Sequence, residues 1–166
     1  MEKRDLFKIG ITVIAAAYFL WSALSPSTWR FLDNVHLIIH EAGHIIFLFF
    51  GDFVSIAGGT LLQLIIPILF IGYFYLRGEY FSASLLLFWL GSSLMNVYVY
   101  AADAVAMQLP LLGGHAVIHD WNYMLGRLDV LDHTSFIANS IRILGILTIL
   151  AATYFSLRAA IQPRNT

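Results

Sequence analysis

Residues His40, Glu41 and His44, in the run His40-Glu41-Ala42-Gly43-His44, bring two imidazoles and a carboxylate together within five positions. On a helix, positions i and i+4 share a face about one turn apart, so both imidazoles can reach a single metal ion. Glu41, one residue on, then points toward a water that the metal polarises and takes its proton as the water attacks a carbonyl. Zinc suits this donor set, because it lowers the pKa of a bound water to about 7. Shuffling the 6 His and 3 Glu of this chain would give only about 0.004 such motifs by chance. The competing reading is a purely structural hydrogen-bonded cluster. Against it, the flanking residues are apolar, and an ionisable group in a membrane helix costs at least about 2.5–3.5 kcal/mol on the insertion scale and is functional by default.

The elements that must position this motif follow from composition. The 166 residues are 60% hydrophobic and 11% charged, where soluble domains run about 45–50% and 25%. This excludes a water-soluble globule and fits one compact membrane-embedded domain over residues 1–166 in contact with the lipid bilayer. With 9 Lys+Arg against 10 Asp+Glu, a net charge of -1 and no basic block, nucleic acid is excluded as a partner. There is no Cys, hence no disulfide, thiol nucleophile or thiolate ligand, and metal chemistry falls to His and carboxylates.

The predicted architecture is an all-α polytopic membrane protein with about five transmembrane helices, one short re-entrant loop and one short interfacial helix. A span needs about 20 residues for a hydrocarbon core of roughly 30 Å. Apolar runs near that length cover about Leu6 to Leu24, Val35 to Phe50, Leu61 to Leu76, Tyr80 to Met107 and Ser135 to Ala160. The second run is entered from Asp33-Asn34, residues able to cap its first turn. The charged N-terminal start resembles a signal peptide, but no small-x-small cleavage site closes the first run, which reads as a retained helix. Lys and Arg are nearly tied between alternate loops, with a weak preference for a cytoplasmic N-terminus.

Two connections are more than turns. Gly51 to Thr60 is apolar with three Gly and reads as an extended or re-entrant segment, which survives at membrane depth only where protein or a water-filled cavity satisfies its backbone. Such a loop could pair with an unwound substrate strand by β-addition. Gln108 to His133 gathers three His and three Asp, with a short helix expected over Trp121 to Leu128 and Asp120 or His119 at its start.

The HExxH motif inside a transmembrane helix, followed by the glycine-containing segment up to Gly58-Gly59 and a later acidic motif, resembles the membrane-embedded zinc metalloproteases of the site-2 protease class, in particular small bacterial M50B-like membrane proteins. The resemblance implies a Zn2+-dependent intramembrane protease, integral to the bacterial inner membrane, that hydrolyses a peptide bond of a transmembrane protein or peptide. By that likeness His40 and His44 are zinc ligands and Glu41 is the general base. The family's third ligand is an Asp in a Leu-Asp-Gly context, which this chain lacks. Asp120 is the first choice, since it opens a short helix after a loop as the family's Asp lies near its own helix. His119 comes next, with Asp103 and His115 behind, and one of the His119-Asp120 pair would orient the other.

Asp103 and Asn96, seven residues apart on the fourth run, are candidates for supporting contacts to the ligands. The alternative for Asp103 is a structural hydrogen bond to Asn96, Gln63 or Arg142. Asn96 or Asn122 could donate to an oxyanion or to the substrate backbone. His36 extends the His40 and His44 stripe, but three His in a ladder cannot surround one tetrahedral ion, so His36 is placed near the membrane surface or at the site entrance. Two other function classes stay open: a non-catalytic metal-binding or regulatory membrane protein, and a metal transporter. Neither needs a non-ligating carboxylate such as Glu41 beside the metal.

Overall fold

The computed structural model describes residues 5–112 and 118–161. Among the described residues all regular structure is helical, in the order α1 (Leu6–Leu24), α2 (Phe31–Ile46), α3 (Asp52–Leu76), α4 (Tyr80–Ala102), α5 (Asp120–Arg127) and α6 (Thr134–Ile161). Helices α1, α3 and α4 are long and apolar enough to cross a membrane, and so is α6 together with the 3-10 turn that leads into it.

The expectation of about five spans gives way to these four. Helix α2 has 16 residues, a rise of about 24 Å against a core of roughly 30 Å. A 3-10 turn at Leu48–Phe50 and Gly51, at φ +88°, separate it from α3. Its start lies earlier than the capping residues suggested: the Asp33 carboxylate, inside the first turn, accepts from the Arg30 backbone N–H at 2.7 Å.

The re-entrant loop over Gly51 to Thr60 is likewise replaced by helix, because α3 runs unbroken from Asp52 to Leu76. Helical hydrogen bonding satisfies the backbone without cavity or partner, and it leaves no open strand edge for β-addition. The glycines serve contact instead. A Cβ on Gly58 would lie 2.7 Å from the Gly43 carbonyl oxygen and 2.7 Å from the Phe47 Cβ, so α2 and α3 approach backbone to backbone.

The apolar core lies elsewhere, among α1, α4 and α6. Phe88, Met95, Ile149, Ala152, Ala16 and Ala23 are buried together, and Phe19 of α1 stacks on Phe88 at 5.3 Å between ring centroids. Ser156 donates to Ser84 at 3.0 Å between α6 and α4, and the Asp5 N–H bonds the Ala160 carbonyl, tying the start of α1 to the end of α6. The short helix expected near Trp121 is α5, which opens at Asp120 with His119 as its N-cap. It rests on α3 and α4, with Tyr123 facing Phe53 at 6.5 Å.

Candidate metal centre

The geometry begins with α2. One turn of helix sets the His40 and His44 rings edge to face with centroids 4.8 Å apart, both turned to the α3 side. The His40 ring is pressed against Gly59, where a Cβ would sit 2.6 Å from its Nε2. A side chain at position 59 would therefore push this imidazole aside. His44 is held by α3 from two directions: its Nδ1 lies 2.9 Å from the Ser55 carbonyl, and Ser55 Oγ donates to the His44 carbonyl at 3.1 Å. A carbonyl only accepts, so Nδ1 carries a proton and Nε2 is the nitrogen left to face the cluster.

Helix α5 brings the third group. Asp120 is 80 positions from His40 in the chain, yet its Oδ2 lies 2.8 Å from His40 Nε2 and 3.3 Å from His44 Nε2. One ligand atom from each of His40, His44 and Asp120 falls within 4.8 Å of the others, a grouping able to hold a metal ion. Burial pushes the Asp120 carboxyl up, but the hydrogen bonds from the two imidazoles outweigh it and hold the group below the usual carboxylate range. The Asp120 backbone N–H donates to the Tyr100 hydroxyl at 3.1 Å, and the Tyr100 ring packs on His40 at 5.7 Å.

His119 turns the other way. Its Nδ1 accepts from the Asn122 N–H at 3.3 Å, and its Nε2 faces Asp103 Oδ2 at 3.3 Å. Both requirements are met by the neutral Nε2–H form, which leaves neither nitrogen for a metal. Of the two neighbours, Asp120 joins the histidines and His119 caps the helix that carries it. Asp103 also accepts from the Gln108 and Leu109 N–H groups at 3.0 and 2.9 Å, so it clamps the end of α4 to the start of the connection and touches the cluster only through His119. His115 lies outside the described residues.

Three sequence expectations are corrected by packing. Asn96 is not beside the cluster: its amide donates to Asp33 at 2.9 Å and its carbonyl accepts from Gln63 at 2.9 Å. Asn122 spends its side-chain amide on the Ala104 carbonyl at 2.9 Å, so neither amide is free to meet an oxyanion. His36 is fully buried within the protein and so does not stand at an open entrance.

Glu41 is half-buried, and among the described residues no side-chain hydrogen bond or ion pair occupies its carboxylate. The His44 side chain is 26% exposed against 9% for His40 and 7% for Asp120, so the cluster is open on the His44 side. Sequence reasoning missed Ser55, Tyr100 and Gly59. Tyr100 was findable as the residue three before Asp103, on the same helical face, whereas Ser55 and Gly59 were hidden by reading their segment as a loop.

This chain matches no family model, no curated protein and no solved structure. The chemistry of the site rests on its own geometry.

Proposed function

We propose that the protein is an integral membrane metalloprotease in which His40, His44 and Asp120 hold a zinc ion and Glu41 is the general base for peptide-bond hydrolysis in a membrane protein substrate. One observation carries this reading. Ser55 engages the His44 Nδ1 through its carbonyl, so Nε2 is the nitrogen turned to the Asp120 carboxylate, at 3.3 Å, beside His40 Nε2 at 2.8 Å from the same oxygen. A zinc ion at that point would meet a three-sided donor set of His40 Nε2, His44 Nε2 and Asp120 Oδ2, displacing the proton that His44 and Asp120 otherwise share.

Zinc held by His40, His44 and Asp120 would supply a Lewis acid and an acidified water. The chain's own groups divide the remaining work. His40 and His44 are oriented by Gly59 and Ser55, Asp120 by its helix start and Tyr100, and Glu41 has an unoccupied carboxylate to take the proton of a water and return it to the leaving amine. The His44 side is where a scissile carbonyl can enter. The four apolar helices support a membrane location, and the likeness to site-2 proteases supports the bacterial inner membrane.

Metal analysis of the purified full-length protein, paired with turnover of a transmembrane peptide, tests the reading. About one zinc per chain is expected, with loss of metal in His40→Ala. Glu41→Gln should keep the metal and lose about 10²–10⁴-fold in turnover. A metal-free preparation made without chelators, or full turnover by Glu41→Gln, sinks the proposal. The second outcome would favour a transporter or regulatory metal protein, which has no use for that carboxylate.

A further inference from the structure

Among the described residues, eight buried side-chain nitrogen or oxygen atoms lack a hydrogen-bond partner, and four of them belong to His36, Thr60 and Ser93. These three residues stand one on each of α2, α3 and α4. His44 meets Ser55, and His40 meets Gly59, so the antiparallel pair advances by four residues on each side and the next rung sets His36 opposite Gln63. Gln63 bonds Asn96 and the Ser93 carbonyl of α4, and Asn96 bonds Asp33, one turn before His36. Thr60 lies one turn from Gln63 toward His40.

The seam is thus a polar file within a helical bundle. Asp33, Asn96 and Gln63 satisfy one another, while His36, at 0% exposure, leaves both ring nitrogens unpartnered. Asp33 Oδ1 is 3.7 Å from His36 Nδ1, beyond a direct hydrogen bond. A neutral imidazole has one donor and one acceptor, and burying both without partners is costly. Thr60 Oγ1 and Ser93 Oγ present the same unmet demand. Two members of the file, Asp33 and Asn96, also line a small recess with Ser22, Arg30 and Ser92 on the α1 side, with room for about one water.

We propose that this seam is a water-binding site: resident water bonded to His36, Thr60 and Ser93, exchanging through the recess beside Arg30 and Asp33. Each buried water makes about three hydrogen bonds, so on the order of two waters satisfy the four unpartnered atoms of these residues. The site is distinct from the metal cluster and stands whether or not a metal is bound, since none of its members is a proposed ligand. Its structural effect is to fix the rung below His40, so the helix that carries the histidines is held to α3 and α4 by polar contacts on both sides of that residue.

Radiolytic hydroxyl labelling in H₂¹⁸O tests it on the full chain in detergent, with and without chelator. Resident water generates radicals in place, so buried His36 should take up ¹⁸O at a rate within about tenfold of exposed His133, while Phe88, buried in the apolar core, stays unlabelled. Thr60→Val, which keeps the shape and removes one partner, should lower His36 labelling and leave His133 unchanged. The proposal is overturned if His36 stays silent at doses that consume His133, or if Thr60→Val leaves His36 labelling undiminished. Because labelling needs no metal and no turnover, a failed protease assignment leaves this test intact.

Discussion

Helices α2 and α3 meet through glycine, and so do α4 and α6, but the two seams use the closeness differently. At α4 and α6, a Cβ on Gly91 would lie 2.6 Å from Ile149 Cγ1, and one on Gly145 would lie 3.0 Å from Met95 Sδ. The glycines there make room for large apolar side chains, which fill the space and hold the bundle by dispersion and close packing. At α2 and α3, Gly43 and Gly58 meet each other's backbone, and Gly59 meets the His40 ring. The closeness there brings the Ser55 carbonyl to the His44 imidazole and sets the direction of its ring. One seam is built for apolar contact, and the other trades such contact for the orientation of polar groups.

That contrast can be broken at single atoms. The largest effect is expected for Gly43→Ala, because its methyl would meet the Gly58 and Gly59 backbone, which has no rotamer to yield. A loss of about 3 kcal/mol or more in stability, with loss of metal, should appear in denaturant unfolding and metal analysis. If Gly43→Ala unfolds at the wild-type midpoint, the backbone-to-backbone seam is wrong. Gly59→Ala sharpens the point, since its methyl meets the His40 ring. Metal affinity should fall by about 10–100-fold in a competition titration while the helical circular dichroism is kept.

Gly91→Ala is the matched change in the apolar seam. It should cost about 1–3 kcal/mol as Ile149 shifts, with metal content unchanged; a metal loss here would mean that the two seams are coupled. The smallest change, Ser55→Ala, removes the hydroxyl bond to the His44 carbonyl and leaves the Ser55 carbonyl in place. About 0.5–1.5 kcal/mol of stability should go, with metal affinity within about threefold of wild type. A large metal loss would show that the hydroxyl, and not the carbonyl, sets the imidazole.

The HExxH motif was legible because helical periodicity alone puts positions i and i+4 on one face, and four of the spans were legible because apolar length alone defines them. Helix α2 was read as a span from the same apolar run. Counting apolar residues cannot see that a turn at Leu48–Phe50 and Gly51 stops it early. Gly51 to Thr60 was misread because glycine fits both a loop and a close helix contact, and the choice depends on a neighbour that the local sequence does not contain. Asp120 and His119 could not be ranked by spacing, since adjacent residues leave a helix start in different directions. Capping turned His119 toward Asp103 and left Asp120 to face α2.

By itself the sequence determined the chemistry on offer: two imidazoles and a carboxylate on one turn of helix, no thiol to compete, and apolar helices to carry them. These properties are local, fixed by residue identity and the 3.6-residue repeat. The tertiary structure alone decided which acid meets the two histidines, which nitrogen of His44 faces that acid, and that His36 is buried in a polar seam. Each of these depends on groups that lie 11 to 80 positions apart in the chain and meet only because glycine lets α2 and α3 touch and a histidine cap turns α5 toward them.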